Sequence, residues 1–198
     1  MRNAFLSLAA LALFAAPAFA GAKVGDKAPT FSGIPATLNG QESSLSLSDL
    51  KEDVIVLVFL GNSCPVVKAY NDRIIDLASA YKGKSVRVVG VCVNDIVEDR
   101  LPAIKEVGKE KGFNYIYGYD ESGKIGKDYG ATRTPEFFVI DKERVIRYHG
   151  ALDDNQTEGK VKKTFVKDAV DALLAGKEVA VPETRPVGCG IQYATAKK

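Results

Sequence analysis

The chain has 198 residues, which is enough for one domain with a substantial hydrophobic core. Its 27 Lys and Arg residues nearly balance its 25 Asp and Glu residues, so the net charge is only +2. Because there is no long basic run, the sequence gives no sign of a nucleic-acid or membrane surface, and we expect no nucleic-acid partner. Three cysteines leave at least one thiol unpaired unless another chain provides a partner.

The first 20 residues have the pattern of a secretory signal peptide. Arg2 provides a positive charge, residues 4–16 form an almost unbroken apolar run, and residues 18–20 read Ala-Phe-Ala, a small-x-small cleavage site. The apolar run is too short for a membrane-spanning helix, although a membrane anchor is the alternative. We therefore expect cleavage after Ala20, export to a bacterial periplasm or the extracellular space, and no membrane association of the mature chain. In such an oxidising compartment accessible cysteines can form a disulfide.

Beyond the leader, the hydrophobic pattern predicts an N-terminal β-hairpin turning at Asn39-Gly40, then strands alternating with helices, then a second hairpin and a closing helix. The predicted strands cover residues 31–38, 43–47, 53–60, 85–93, 115–119, 136–140 and 145–148. The predicted helices cover residues 65–82, 98–111, 122–129 and 160–175. This order predicts an α/β fold, a mixed sheet flanked by helices with an N-terminal hairpin extension. We place the domain at residues 21–176 and a mostly irregular tail, unlikely to be rigid, at residues 177–198.

Cys64 lies directly after a predicted buried strand and directly before a helix. Pro65 suits the first helical position, where its missing N–H costs nothing, so Cys64 takes the N-cap position. There the helix dipole and the free backbone N–H groups favour the thiolate, the species that attacks disulfides and peroxides. Lys68, one turn later, would add positive potential. The alternative is a small buried cysteine at a strand–helix junction.

The residues around Cys64 resemble the active site of the thioredoxin-like superfamily, in which Cys-x-x-Cys-Lys opens a helix after a strand. Thr134-Pro135 resembles the cis-proline loop of that superfamily. The spacing between these motifs, together with residues 24–29 and 47–50, is similar to the redoxin and peroxiredoxin-like (AhpC/TSA-type) branch. Within it, the chain resembles bacterial thioredoxin-family proteins with Asn-x-Cys-Pro-x-Val-Lys-Ala-Tyr at the active site and a C-terminal Gly-Cys-x-Ile motif. The resemblance implies a thioredoxin-like fold.

The chain departs from the thioredoxin pattern at the second cysteine. Val67 stands at that position, so a local dithiol cannot form, and any two-thiol cycle needs a distant partner. Cys189 is the candidate, because Gly188 and Gly190 would let the backbone bend around it. A disulfide between Cys64 and Cys189 would be a resolving step or a resting state. A structural disulfide, a free thiol and an intermolecular thiol remain alternatives.

The remaining candidate residues lie near these motifs in the sequence. If Pro135 is cis, Thr134 would lie beside the sulfur and offer edge hydrogen bonds to an incoming polypeptide. Arg133 would add positive potential there. Cys92, inside an apolar run, is expected in the core. His149, the only histidine, is expected at the surface, and no Cys/His cluster has zinc-site spacing, so we expect no metal and no cofactor.

Three functions fit these features. The favoured one is a thiol-disulfide oxidoreductase that exchanges with protein thiols or disulfides and an external thiol reductant. The second is a thiol peroxidase acting on a peroxide, but Leu57 and Gly61 stand where peroxiredoxins have Pro and Thr. The third is a non-enzymatic binding protein or metallochaperone, but Lys68 stands where thioredoxin-like copper carriers have a second cysteine.

Overall fold

The described part of the chain, residues 21–194, contains nine strands and four α-helices in a computed structural model. The predicted signal peptide lies outside the described residues. The strands are β1 (Ile34–Leu38), β2 (Gln41–Leu45), β3 (Val54–Phe59), β4 (Val86–Cys92), β5 (Ile116–Tyr119), β6 (Arg133–Thr134), β7 (Glu136–Ile140), β8 (Ile146–Gly150) and β9 (Cys189–Gly190). The helices are α1 (Pro65–Ala80), α2 (Leu101–Lys111), α3 (Lys124–Tyr129) and α4 (Phe165–Leu174).

Seven of these strands form one mixed sheet in the order β2-β1-β5-β4-β3-β7-β8. The pairs β3–β4 and β4–β5 are parallel, and the other pairs are antiparallel. Every side chain of β3 is buried, as expected for a central strand covered on both faces. The alternate side chains of β3 pack toward α1, α2 and α4 on one face and toward α3 and the N-terminal segment on the other. The predicted α/β fold is confirmed.

The two hairpins and most elements lie where the sequence predicts them. Asn39 and Gly40 form the first turn with left-handed φ values of 50° and 75°. Two predicted helices begin too early. Residues 97–99 form a separate 3₁₀ turn before α2. The last helix starts at Phe165 instead of residue 160, because Asp154 accepts the backbone N–H groups just before it and holds that segment as a loop.

The tail lacks regular structure over most of its length, as predicted, but it is docked on the domain. β9 pairs with β6 in a separate two-stranded antiparallel sheet. Earlier in the tail, the backbone N–H of Thr184 donates to the carbonyl oxygen of His149 at 2.9 Å, and the His149 N–H donates to that of Pro182 at 3.0 Å. Within residues 21–194, no helix is long and apolar enough to span a membrane.

Candidate active site

Cys64 and Cys189 form a disulfide between residues 125 positions apart in the sequence. Their Cα atoms lie 5.9 Å apart, within the usual range for a disulfide. Cys64 is buried, with 3 % of its surface exposed, whereas Cys189 is partly exposed. Cys189 is the candidate partner that the sequence indicates, and the structure brings these two cysteines together.

Cys64 is the N-cap residue of α1, as predicted. Its backbone is extended, Pro65 begins the helix, and the Lys68 N–H donates to the Cys64 carbonyl oxygen at 3.1 Å. The Lys68 side chain is exposed at this end of the helix. Val67 is 3 % exposed and packs into the core, so the position of a second local cysteine is filled by an apolar side chain.

The Thr134-Pro135 segment, which connects β6 to β7, lies beside the disulfide. The peptide bond between these residues is cis, and the Thr134 carbonyl oxygen lies 3.1 Å from the Cys64 Sγ. Thr134 also pairs with Cys189 across the β6–β9 ladder, and Arg133 pairs with Gly190. One short strand therefore contacts both halves of the disulfide.

Glycine is needed at position 188 because of a close backbone contact, and not because the backbone bends freely there, as the sequence predicts. Neither Gly188 nor Gly190 has a positive φ. A Cβ atom at position 188 would overlap the Thr134 carbonyl group, whereas one at position 190 would meet nothing within 4 Å. Only Gly188 allows the close approach of the tail. Arg133 contacts the tail here too, with its Nη1 3.5 Å from the Gly188 carbonyl oxygen.

The buried Glu136 and the partly exposed His149 form a pair behind the cis-proline loop, and the sequence did not predict the pair. Glu136 is 1 % exposed, and its Oε2 accepts the backbone N–H groups of Thr132 and Arg133, both at 2.8 Å. Its Oε1 lies 2.6 Å from the Nε2 of His149, whose ring stacks on Phe138. The histidine expected at the surface is therefore only partly exposed, with 20 % of its side chain accessible. A charged residue at the start of the otherwise apolar strand 136–140 was the available signal.

A second buried carboxylate lies behind the Cys64 loop. Asp99 is fully buried and accepts the backbone N–H of Ser63 at 2.8 Å and the Ser63 hydroxyl at 3.1 Å. The Nδ2 of Asn94 also donates to it, at 2.5 Å. Position 99 belongs to a turn that the sequence pattern had assigned to a helix, so its role was not predicted.

The third cysteine lies in the core, as predicted. Cys92 ends β4 and is fully buried. Burial raises the pKa of its thiol to about 12, because the thiolate would lose its hydration there. Among the described residues, no three His, Cys, Asp or Glu side chains converge as a metal-binding group. Leu57, buried in β3, and Gly61 provide no side-chain hydroxyl near Cys64.

The model of the Redoxin family matches residues 23–168 of the chain. The chain belongs to the Redoxin family. The predicted redoxin branch is thereby confirmed, and the match ends before the segment that carries Cys189.

Relatives of this Redoxin-family chain include thiol-disulfide proteins. The thiol:disulfide interchange protein DsbE of Yersinia pestis is 34% identical over 92 residues, 46% of this chain and 45% of that protein. The chain thus spans about half of that relative. The thiol-disulfide oxidoreductase ResA of Bacillus thuringiensis is 28% identical over 143 residues, 71% of this chain and 78% of ResA. An uncharacterized conserved protein of Geobacillus kaustophilus has a crystal structure with a TM-score of 0.80 and 31% identity, covering 88% of this chain and 94% of that one.

Proposed function

We propose that this Redoxin-family chain is an exported thiol-disulfide oxidoreductase in which Cys64 is the nucleophile and Cys189 its partner. The observation that carries the proposal is the Cys64–Cys189 disulfide at the N-terminus of α1, beside the Thr134 carbonyl. A helix N-terminus favours the thiolate of Cys64 over the thiol. The relatives DsbE and ResA, named for thiol-disulfide chemistry, support the same reaction class.

The reaction transfers two electrons between two dithiol–disulfide pairs. The Cys64 thiolate attacks a substrate disulfide, which forms a mixed disulfide and releases one substrate thiolate. The Cys189 thiolate then attacks the Cys64 sulfur, which releases the second substrate thiolate and leaves the Cys64–Cys189 disulfide. The substrate is reduced and this chain is oxidised. An external thiol reductant resets the pair, and the reverse sequence oxidises a substrate dithiol.

The residues around the sulfur have supporting roles in this proposal. Thr134 and cis-Pro135 offer the backbone edge of β6 to an extended polypeptide. In the disulfide form β9 occupies that edge, so a polypeptide reaches it only after β9 leaves. Pro65 fixes the first turn of α1, and Lys68 and Arg133 add positive potential at its N-terminus.

Reduction of a model protein disulfide such as insulin tests the chemistry. The reduced protein should oxidise to the Cys64–Cys189 disulfide with stoichiometric insulin reduction, and Cys64→Ser should abolish the reaction. Cys189→Ser should accumulate the mixed disulfide with Cys64, visible by mass under non-reducing conditions. Cys92→Ala, in the core, is the matched control and should react like the unaltered protein. If Cys64→Ser reacts normally, the proposal is wrong.

A parallel reaction with hydrogen peroxide separates this function from a thiol peroxidase. We expect slow peroxide consumption beside efficient disulfide exchange. Rapid peroxide consumption with no exchange would establish the peroxidase instead.

Export is tested independently by expressing the full chain in a bacterium and sequencing the N-terminus of the periplasmic form, which should begin at Gly21.

A further inference from the structure

A chain of hydrogen bonds, centred on the buried contact between Asn94 and Asp99, joins the two segments that carry the cysteines. On one side, Asp99 holds the backbone N–H and the hydroxyl of Ser63, the residue just before Cys64. On the other side, the Oδ1 of Asn94 accepts the backbone N–H of Gln192 at 2.8 Å, three residues after Cys189. Because the Nδ2 of Asn94 donates to Asp99, the two sides are continuous.

The donors and acceptors of this network allow one orientation of the Asn94 amide. A carboxylate can only accept and a backbone N–H can only donate, so the Nδ2 must face Asp99 and the Oδ1 must face Gln192. The Gln192 carbonyl oxygen in turn accepts the Asp95 N–H at 2.8 Å. A Cβ atom at Gly61 would lie 2.5 Å from the Asn94 Nδ2, so the Cys64 loop packs directly on the network.

We propose that Asn94 and Asp99 are positioning residues that favour return of the tail to its docked position when the disulfide is open. The inference rests on the proposed function, because it assumes that the Cys64–Cys189 pair opens and closes. After reduction only non-covalent contacts hold Cys189 near Cys64, and ordering the tail costs conformational entropy. The network offsets part of that cost, so it raises the effective concentration of the Cys189 thiol at the Cys64 sulfur.

The equilibrium with dithiothreitol measures this effect directly. Reduced dithiothreitol gives two electrons and two protons to the Cys64–Cys189 disulfide and becomes its own cyclic disulfide, so the measured constant reports how readily the protein pair closes. Asn94→Ala removes the hydrogen bonds to both Gln192 and Asp99. The bond to Gln192 is the one that holds the tail, and its loss should lower the closing constant about five- to tenfold. Ser63→Ala removes only the hydroxyl contact to Asp99 and should lower it about twofold.

Asn114→Ala is the matched control. Its side-chain amide donates to the Ile75 carbonyl oxygen and to the Ser79 hydroxyl, and these contacts lie away from both cysteine segments. Loss of Asn114 should leave the closing constant unchanged even if it lowers the melting temperature. Each variant is checked by circular dichroism in its reduced form before titration.

The outcomes distinguish this inference from the proposed function. A folded Asn94→Ala variant whose closing constant equals that of the unaltered protein would overturn the positioning role, while insulin reduction by the unaltered protein would still support the oxidoreductase. If Asn94→Ala does not fold, the exposed Ser63→Ala variant decides, and an unchanged constant there overturns the role. A disulfide in the unaltered protein that resists dithiothreitol in the folded state would contradict the proposed function itself.

Discussion

Gly188 lies so close to Thr134 that a Cβ atom at position 188 would overlap the Thr134 carbonyl oxygen. The same carbonyl oxygen lies 3.1 Å from the Cys64 Sγ. The residue before Cys189 and the residue before the cis-proline therefore pack together beside the disulfide. The backbone of the tail is fitted to β6 at this point, and a larger residue would have to move one of the two segments.

The first prediction is that Gly188→Ala weakens closure of the disulfide. The added methyl group would meet backbone atoms, which cannot move aside like a flexible side chain, at a cost of about 1–3 kcal/mol. The closing constant against dithiothreitol should fall about 5- to 150-fold, the factor that this cost implies. Gly190→Ala is the control, since a Cβ there meets nothing within 4 Å. Equal closing constants for Gly188→Ala and Gly190→Ala would contradict the close packing of Gly188 on Thr134.

The second prediction concerns the buried carboxylate behind the cis-proline loop. Glu136→Ala leaves the N–H groups of Thr132 and Arg133 without their acceptor and His149 without its partner. We expect a loss of about 2–4 kcal/mol in the free energy of unfolding, measured with urea. Glu136→Gln keeps one oxygen for the two N–H groups and should cost less. A Glu136→Ala variant as stable as Glu136→Gln would show that the carboxylate does not hold the loop.

The third prediction compares a buried and an exposed ion pair. Arg73 donates to Asp153 at 2.5 Å and to the Gln156 carbonyl oxygen at 2.7 Å, and it joins α1 to the loop after β8. Arg73→Ala leaves a buried carboxylate unpaired and should cost about 3–5 kcal/mol in urea unfolding. Arg87→Ala, which breaks the exposed pair with Glu52, should cost less than about 1 kcal/mol. Similar losses for both variants would contradict the burial argument.

The elements that place Cys64 could be predicted because their signals are local. A run of apolar residues predicts the central strand β3, and the adjacent residues Cys64 and Pro65 mark the start of α1. The cis-proline loop was found by resemblance, since no property of Thr134-Pro135 alone indicates where it lies.

The docking of the tail could not be predicted in the same way. The contact between Asn94 and Gln192 joins residues 98 positions apart, and β9 is too short to show an alternating pattern. Gly188 and Gly190 look equivalent in sequence, although only one of them touches Thr134. Such contacts depend on the completed fold, so hydrophobic periodicity carries no signal for them.

The last prediction uses the raised pKa of Cys92. Because burial raises that pKa from 9.0 to about 12, iodoacetamide at pH 8 should label Cys64 and Cys189 in the reduced folded protein and reach Cys92 only after denaturation.

The raised pKa of Cys92 also makes protein stability depend on pH. Between pH 9 and pH 12 the Cys92 thiol keeps its proton in the native state but loses it in the unfolded state. The contribution to stability is therefore complete below pH 9 and is lost as the pH rises toward 12.

Comparison with Cys92→Ala isolates this pH effect, because the tyrosines are common to both proteins. Between pH 8 and pH 10 the free energy of unfolding of the unaltered protein should fall by about 1 kcal/mol more than that of Cys92→Ala. Urea unfolding at the two pH values measures the difference, with Cys189→Ser in both proteins so that disulfide exchange does not contribute. Parallel pH dependence in the two proteins, or labelling of Cys92 in the folded state at pH 8, would contradict a buried and protonated thiol.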